Sequence, residues 1–257
     1  MTTLSDNEIG AEIDAKRLIH HADRARLTGA CYELRMGSVY YDLTEGGKRF
    51  ALAAGEMVLI KPGHRVVLIT SEELDVPPDI LVRVVSKGSL FSVGLSPVAT
   101  HADPGFSGNL GIVTENLSDK YIELPQGEPI AKADFTRLSS AAANPYRGQH
   151  GFQAGIWPIK THLQKMHADV AADPRVLSEK EEAFALLPAA TRIVIRRLEK
   201  TQFLTDVGIV LAIILNAFAL FELGGKVADG FYGVVGSLVA SAIVGIGTLC
   251  IKFLRRT

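Results

Sequence analysis

The chain has 257 residues, with 27 basic and 28 acidic side chains and a formal charge of −1, so no electrostatic excess marks it as a nucleic-acid binder. Its two cysteines, Cys31 and Cys250, are far apart in unlike surroundings and cannot build a disulfide framework or a Cys-rich zinc site, which fits a reducing cytosolic setting. The opening residues are polar and charged, without the apolar core a secretory signal needs.

In chain order, a helix is expected first, over about residues 7–20. From 29 to 138 the pattern changes to short apolar runs broken by Gly, Pro, Asp and Asn: "SVYYDL", "EMVLI", "HRVVLIT", "ILVRVVS", "LGIVTE" and "YIEL". Repeated short strands at this spacing predict an all-β sandwich or barrel-like roll. A parallel α/β domain is disfavoured, because crossover helices have no room between most of these strands. Residues 1–160 are read as this soluble domain.

Residues 161–202 read as a helical linker. After a helical stretch near 163–170, Ser178 stands three residues before Glu181, the spacing of a capping box that satisfies exposed helix-end amides. Pro188 is expected to kink or break the helix that starts there. Beyond it, Ile193, Ile195 and Leu198 alternate with Arg192, Arg196 and Arg197 in a stretch suited to the headgroup region. No catalytic constellation is visible in this linker.

Residues 203–257 predict a transmembrane hairpin. The segment 231–251, "FYGVVGSLVASAIVGIGTLCI", carries no charge and is close to the ~20 residues needed to cross a bilayer. An earlier segment, 207–221, approaches spanning length once Phe203, Leu204 and Leu223 are added, with Asp206 and Glu222 at its ends. The short "ELGGKVADG" between them requires an antiparallel return. Arg192, Arg196, Arg197 and Lys200 before the first span, and Lys252, Arg255 and Arg256 after the second, place the N-terminal domain and the C-terminus in the cytoplasm of a two-span membrane protein. The lipid bilayer is then a partner; the alternative is a buried helical hairpin in a soluble core. Small residues along the second span permit close helix approach, and Asn216 in the first suits an interhelical hydrogen bond or a pore lining.

The soluble domain carries a resemblance in four ordered blocks: "GACYELRMG" (29–37), "KPGHRVVLITSEELDVPPDILVRVVSKGSLFSVGL" (61–95), "HADPGFSGNLGIVTENLSDKYIELPQGEPIAKADF" (101–135) and "NPYRGQHGF" (144–152). In these it resembles the dCTP deaminase and dUTPase superfamily, over roughly residues 4–158. The resemblance implies a distorted jelly-roll subunit, assembly as a homotrimer, and deoxypyrimidine triphosphate sites at subunit interfaces; the hairpin lies outside the usual family plan.

The resemblance also assigns residues. The deaminases use a strand glutamate ten residues after the Asp of the "DPG" turn as general base; counted from Asp103, that position is Val113. An aliphatic side chain cannot take the water's proton, a role that contributes ~10²–10⁴ in rate. Glu115 lies two residues on, on the same strand face about 6–7 Å away, and replaces the base only if the pocket shifts; otherwise it is a solvated or trimer-contacting glutamate. Lys87, Gly88, Ser89 and Ser92 stand where the family places an Arg-rich phosphate loop, and Lys87 lacks the bidentate fork of arginine. "SKGS" alone is also an ordinary turn.

Against the dUTPases, Asp103 falls on the acid that orients the attacking water, although alone it reads as a turn-forming residue. Phe106 takes the place of a deoxyribose-packing Tyr, and Asn116 is retained. Tyr146, Arg147 and Gln149 resemble the start of the phosphate-covering tail. Glu33 stands where an Asp positions metal-bound phosphates, and Lys132 replaces a Gln. The histidine pairs His20/His21 and His162/His167 have the wrong spacing for a shared metal on a helix. The zinc deaminase signature is absent. No cofactor is assigned, and Mg²⁺ would arrive with the nucleotide's phosphates. Two readings follow: a nucleotide-responsive membrane protein with degenerate deaminase chemistry, including a defence effector, or an active dCTP deaminase or dUTP diphosphatase tethered to the membrane.

Overall fold

The computed structural model describes residues 2–148, 152, 155–224 and 236. The chain divides into two compact units, Met1–Thr161 and His162–Thr257.

The first unit is mainly β. In chain order it runs β1 (Thr2–Thr3), α1 (Asp6–Asp14), β2 (Leu18–His20), a 3₁₀ turn (Arg24–Arg26), β3 (Leu27–Thr28), β4 (Cys31–Asp42), β5 (Lys48–Ala51), β6 (Met57–Ile60), β7 (Arg65–Asp75), β8 (Ile80–Ser86), α2 (Gly88–Ser92), β9 (Ala99–Ala102), β10 (Ser107–Glu115), β11 (Ile122–Pro125) and β12 (Pro129–Arg137). The main sheet has the order β10-β7-β4-β12-β8-β9, with β1 on β12, β2 on β7, and β3 and β5 on β4; β11 and β6 form a separate pair. Every pairing is antiparallel.

Period-2 alternation explains the layers. On β4, Tyr32, Leu34 and Met36 point into the core while Cys31, Glu33 and Arg35 point out. The core is completed by Leu68 and Leu74 of β7, Val82 and Val84 of β8, Leu110 and Ile112 of β10, and Ala131, Ala133 and Phe135 of β12. Each large apolar side chain removed from water in this way contributes about 1.5–3 kcal/mol. A smaller cluster, Val39, Tyr41, Val67 and Ile69, is covered by Phe152, Trp157 and Ile159.

The first helix is shorter than expected. Ser5 caps α1 through a reciprocal box with Glu8, whose carboxyl is held below its usual range by the Ser5 amide. The chain leaves helix after Asp14, and Leu18–His20 pair with β7 instead. Leu18 takes φ of 72° to make that exchange, and its side chain is fully buried.

A 3₁₀ turn (Thr161–Leu163) spans the boundary, and the second unit continues with α3 (His167–Val170), α4 (Glu179–Leu186) and α5 (Ala189–Gly224). The expected Ser178–Glu181 capping box is present, and the helix stops just before Pro188. Past that break, α5 runs unbroken for 36 residues, so the boundary expected between 202 and 203 is no helix end. Residues Ala189–Phe218 are long and apolar enough to cross a membrane by length and composition. The second expected span, 231–251, and residues 225–230 of the connection before it lie outside the described residues, apart from Gly236.

Candidate functional site

Three groups of residues on the first unit bear on chemistry. The first joins β4, β8 and β12. Lys132 is register partner to Glu33 on one side and to Val85 on the other, so the ends of three strands bring residues 33, 87 and 132 together. The Lys87 ammonium lies 3.3 Å from the Glu33 carboxylate, and that of Lys132 lies 4.0 Å from it. Two cations share one partly shielded anion, leaving one positive charge for an incoming anion. Gly88 and Ser89 follow on α2 and are exposed, and the Ser92 hydroxyl donates to the Ser89 carbonyl at 2.7 Å.

The second group is the Asp103 turn after β9. Its carbonyl accepts from Phe106 N at 2.9 Å, and Gly105 supplies the φ of 90° that the turn needs. A Cβ on Gly105 would meet that of Pro145 at 2.8 Å, so the segment carrying Tyr146 and Arg147 lies directly on the turn. Tyr146 N donates to the Pro104 carbonyl at 2.7 Å. The Asp103 carboxylate is exposed and makes no hydrogen bond or ion pair among the described residues, so it is not used to close its own turn. Arg147, next to Tyr146 in the chain, is likewise exposed. Phe106 differs from the expectation for a sugar-packing ring: it is 5% exposed, belongs to the core, and lies 6.0 Å from the Tyr146 ring.

The third group is the outward face of β10. Ile112 and Thr114 are buried while Val113 is 43% exposed, so Val113 and Glu115 share the outward face as period 2 requires. Glu115 is paired in register with Arg65, its carboxylate 3.9 Å from the guanidinium. Two residues before Val113 on that face, Gly111 lies beneath the Trp157 ring. Asn116 follows the strand but turns inward. It is fully buried, donates to the carbonyls of Ile60 (3.1 Å) and Lys120 (2.7 Å), and accepts from the amide and hydroxyl of Ser118. Its amide holds two loops together and faces away from solvent. Gln149 lies outside the described residues.

Comparison with known proteins bears on these groups. The dCTP deaminase-like family profile matches residues 3–138. The chain belongs to that family. It is 30% identical to a dUMP-forming dCTP deaminase of Clavibacter michiganensis over 189 residues, covering 65% of this chain and 94% of the relative. A dCTP deaminase of Thermococcus kodakarensis is 33% identical over 147 residues, covering 57% of this chain and 90% of the relative. The crystal structure of 2′-deoxycytidine 5′-triphosphate deaminase from Agrobacterium tumefaciens overlaps 52% of this chain and 47% of that one, at 18% identity and a TM-score of 0.46. Helices α3 to α5 lie outside the matched segment of this dCTP deaminase-like chain.

Within the family domain, the structure holds two features the sequence reading missed. Glu72 is fully buried on β7, accepting from Arg35 Nε at 2.6 Å, Arg35 N at 2.8 Å and the Tyr32 hydroxyl at 3.1 Å. Burial beside this carboxylate pushes the Tyr32 hydroxyl up to about 12. The only signal was an extra Glu in the polar run "TSEEL" inside an otherwise apolar strand. A second cluster, Asp42, Glu45 and His64, brings three potential ligand atoms within 4.8 Å of one another. The Lys61 ammonium pairs with Glu45, and His64 Nδ1 lies 2.7 Å from Asp42, so each carboxylate already has a side-chain partner.

Proposed function

We propose that this chain is a membrane-anchored member of the dCTP deaminase-like family that binds a deoxypyrimidine nucleotide, or a nucleotide-like signal, without deaminating it. Occupancy of the domain controls the C-terminal hairpin, in the manner of a defence effector. The observation that carries this reading is Val113: a solvent-facing aliphatic side chain where the family's base is expected, with Glu115 engaged by Arg65. Losing a general base while keeping the surrounding scaffold removes about two to four decades of rate but leaves binding surfaces in place. Lys87 and Lys132 supply the phosphate-facing charge, Ser89 and Arg147 supply further donors, and Glu33 would hold any Mg²⁺ that arrived with the phosphates.

The three groups stand on different elements, which suits a homotrimer of distorted jelly-roll subunits with sites completed between copies. Membrane anchorage rests on the apolar length of α5 and on the second apolar segment of the sequence. In that setting the N-terminal domain and the C-terminus are cytoplasmic.

One observation favours a second reading, hydrolysis of dUTP to dUMP and pyrophosphate: the Asp103 carboxylate is exposed and unengaged among the described residues. The test uses the full chain in detergent with dCTP and dUTP. The binding reading expects a raised melting temperature with one of these nucleotides, as selective binding to the folded state requires, and no repeated turnover. Ammonia released from dCTP over many cycles would overturn it. Pyrophosphate released from dUTP and abolished by Asp103→Asn would establish the second reading instead.

A further inference from the structure

The segment 155–159 lies as a strap across the outer face of β4, β7 and β10. The Tyr41 hydroxyl ties it down twice, accepting from Trp157 N at 3.1 Å and donating to the Gly155 carbonyl at 3.3 Å. Phe152 N donates to the Asn109 carbonyl at 3.2 Å, and the Phe152 ring meets Tyr41 edge-on at 6.4 Å. The indole of Trp157 rests on Gly111 so closely that a Cβ there would come within 2.5 Å of the ring. Gly111 has no positive φ, so its lack of a side chain serves this close approach.

Gly111 is two residues from Val113 on the same outward face, about 6–7 Å along the strand. Beside the strap a cavity of about 600 Å³ opens between β4, β7 and β10, lined in part by Arg35, Gly37, Ser71, Asn109 and Phe152. There β4 breaks register with β7 between Leu68 and Thr70 and β10 does so between Ile69 and Glu73, and the buried Ser71 hydroxyl oxygen has no hydrogen-bond partner among the described residues. A planar apolar ring therefore covers the strand face next to the position where the family's base is expected, and Phe152, which contacts the same Tyr41, also lines a cavity of mixed polarity large enough for a nucleoside.

We propose that Trp157 is an internal occupant of the nucleotide's base-binding surface, a plug that the pyrimidine ring of the ligand displaces. This rests on the proposed nucleotide binding and names its regulation. Indole and pyrimidine are both flat rings seeking a stacking surface, and one stretch of β10 cannot hold both. Displacement frees the strap, and the strap is continuous in sequence with Thr161, the last residue before the second unit begins at His162. Ligand occupancy is thereby converted into release of a tether rather than closure of a lid.

The experiment exploits the fact that Trp157 is the chain's one tryptophan, so its emission reports this site alone. The full chain in detergent is titrated with dCTP and with dUTP, following emission and acrylamide quenching, while calorimetry measures affinity. Saturable unmasking of the indole is expected with the nucleotide that binds. Trp157→Ala should bind that nucleotide roughly tenfold more tightly, because the binding-competent fraction rises. Tyr41→Phe, which keeps the packing and removes both strap bonds, should show partial unmasking without ligand and an intermediate affinity. Calorimetric binding with unchanged quenching and equal affinity in Trp157→Ala overturns the plug while leaving nucleotide binding intact. Absence of binding to both wild type and Trp157→Ala overturns the plug and the binding reading together.

Discussion

If the missing base is what halts deamination, putting a carboxylate back at position 113 should restart it. The side chain there is 43% exposed on the outward face of β10, so Val113→Glu costs within about 0.5 kcal/mol of stability, as for other surface changes. The new carboxylate sits about 6–7 Å from Glu115, whose charge is already offset by Arg65 at 3.9 Å. At that separation and in water-like surroundings, residual repulsion is about 0.6 kcal/mol or less. A working general base is worth ~10²–10⁴ in rate, or about 2.7–5.4 kcal/mol of barrier. The lower end applies here, because Lys87 gives a point charge where the family has an arginine's fork. The assay is ammonia release from dCTP by the full chain, with Val113→Gln as a control of equal size that lacks the base. A gain of about a hundredfold in Val113→Glu over both other proteins is expected. Equal rates in Val113→Glu and Val113→Gln, with dCTP bound by each, would refute the reasoning, as would many turnovers by the unmodified chain.

Glu72→Gln should cost roughly 3 kcal/mol, since it leaves the Arg35 amide, now 2.8 Å from the carboxylate, facing a donor; Trp157 emission during heating should then report a melting point lower by roughly 6–12 °C. A drop below about 2 °C would show that the pair contributes little. Asn116→Ala removes four hydrogen bonds from a fully buried site and should cost about 2–4 kcal/mol, yet leave nucleotide affinity unchanged below the melting range; a selective loss of affinity would put the amide in the ligand site. The Tyr32 hydroxyl is raised to about 12 from 10. Its contribution is therefore complete below pH 10 and is lost as pH rises toward about 12, because the unfolded chain releases that proton first. Denaturant titrations across this window should show the decline in wild type and a flatter profile in Tyr32→Phe.

Much of this architecture could be read from residue order. Apolar runs announced β7, β8 and β10, the Ser178 box and Pro188 fixed the limits of α4, and period 2 placed Val113 and Glu115 on one face. β12 was harder: Ala131, Lys132, Ala133 and Asp134 have weak strand preference, and the burial of Ala131 and Ala133 follows from lying between β4 and β8. Glu72 looked like a solvent-facing residue because its partners, Tyr32 and Arg35, lie 40 and 37 positions away. Family likeness put Lys87 and Glu33 near phosphates, but the meeting of both with Lys132 comes from strand pairing that no local spacing announces. The strap had no periodicity at all, and its seat depends on a side chain that Gly111 lacks.

Helix α5 has a mechanical consequence in the membrane setting proposed above. At 1.5 Å per residue its 36 residues measure about 54 Å, against a hydrocarbon layer of about 30 Å. Roughly 24 Å of stiff mast thus stands clear of the bilayer, carrying Arg192, Arg196, Arg197 and Lys200 with no hinge beneath them. A push at its end away from the bilayer, where α4 is bonded to it through Lys180–Glu199 and Arg192, tilts the immersed portion in proportion, as a tiller turns a rudder.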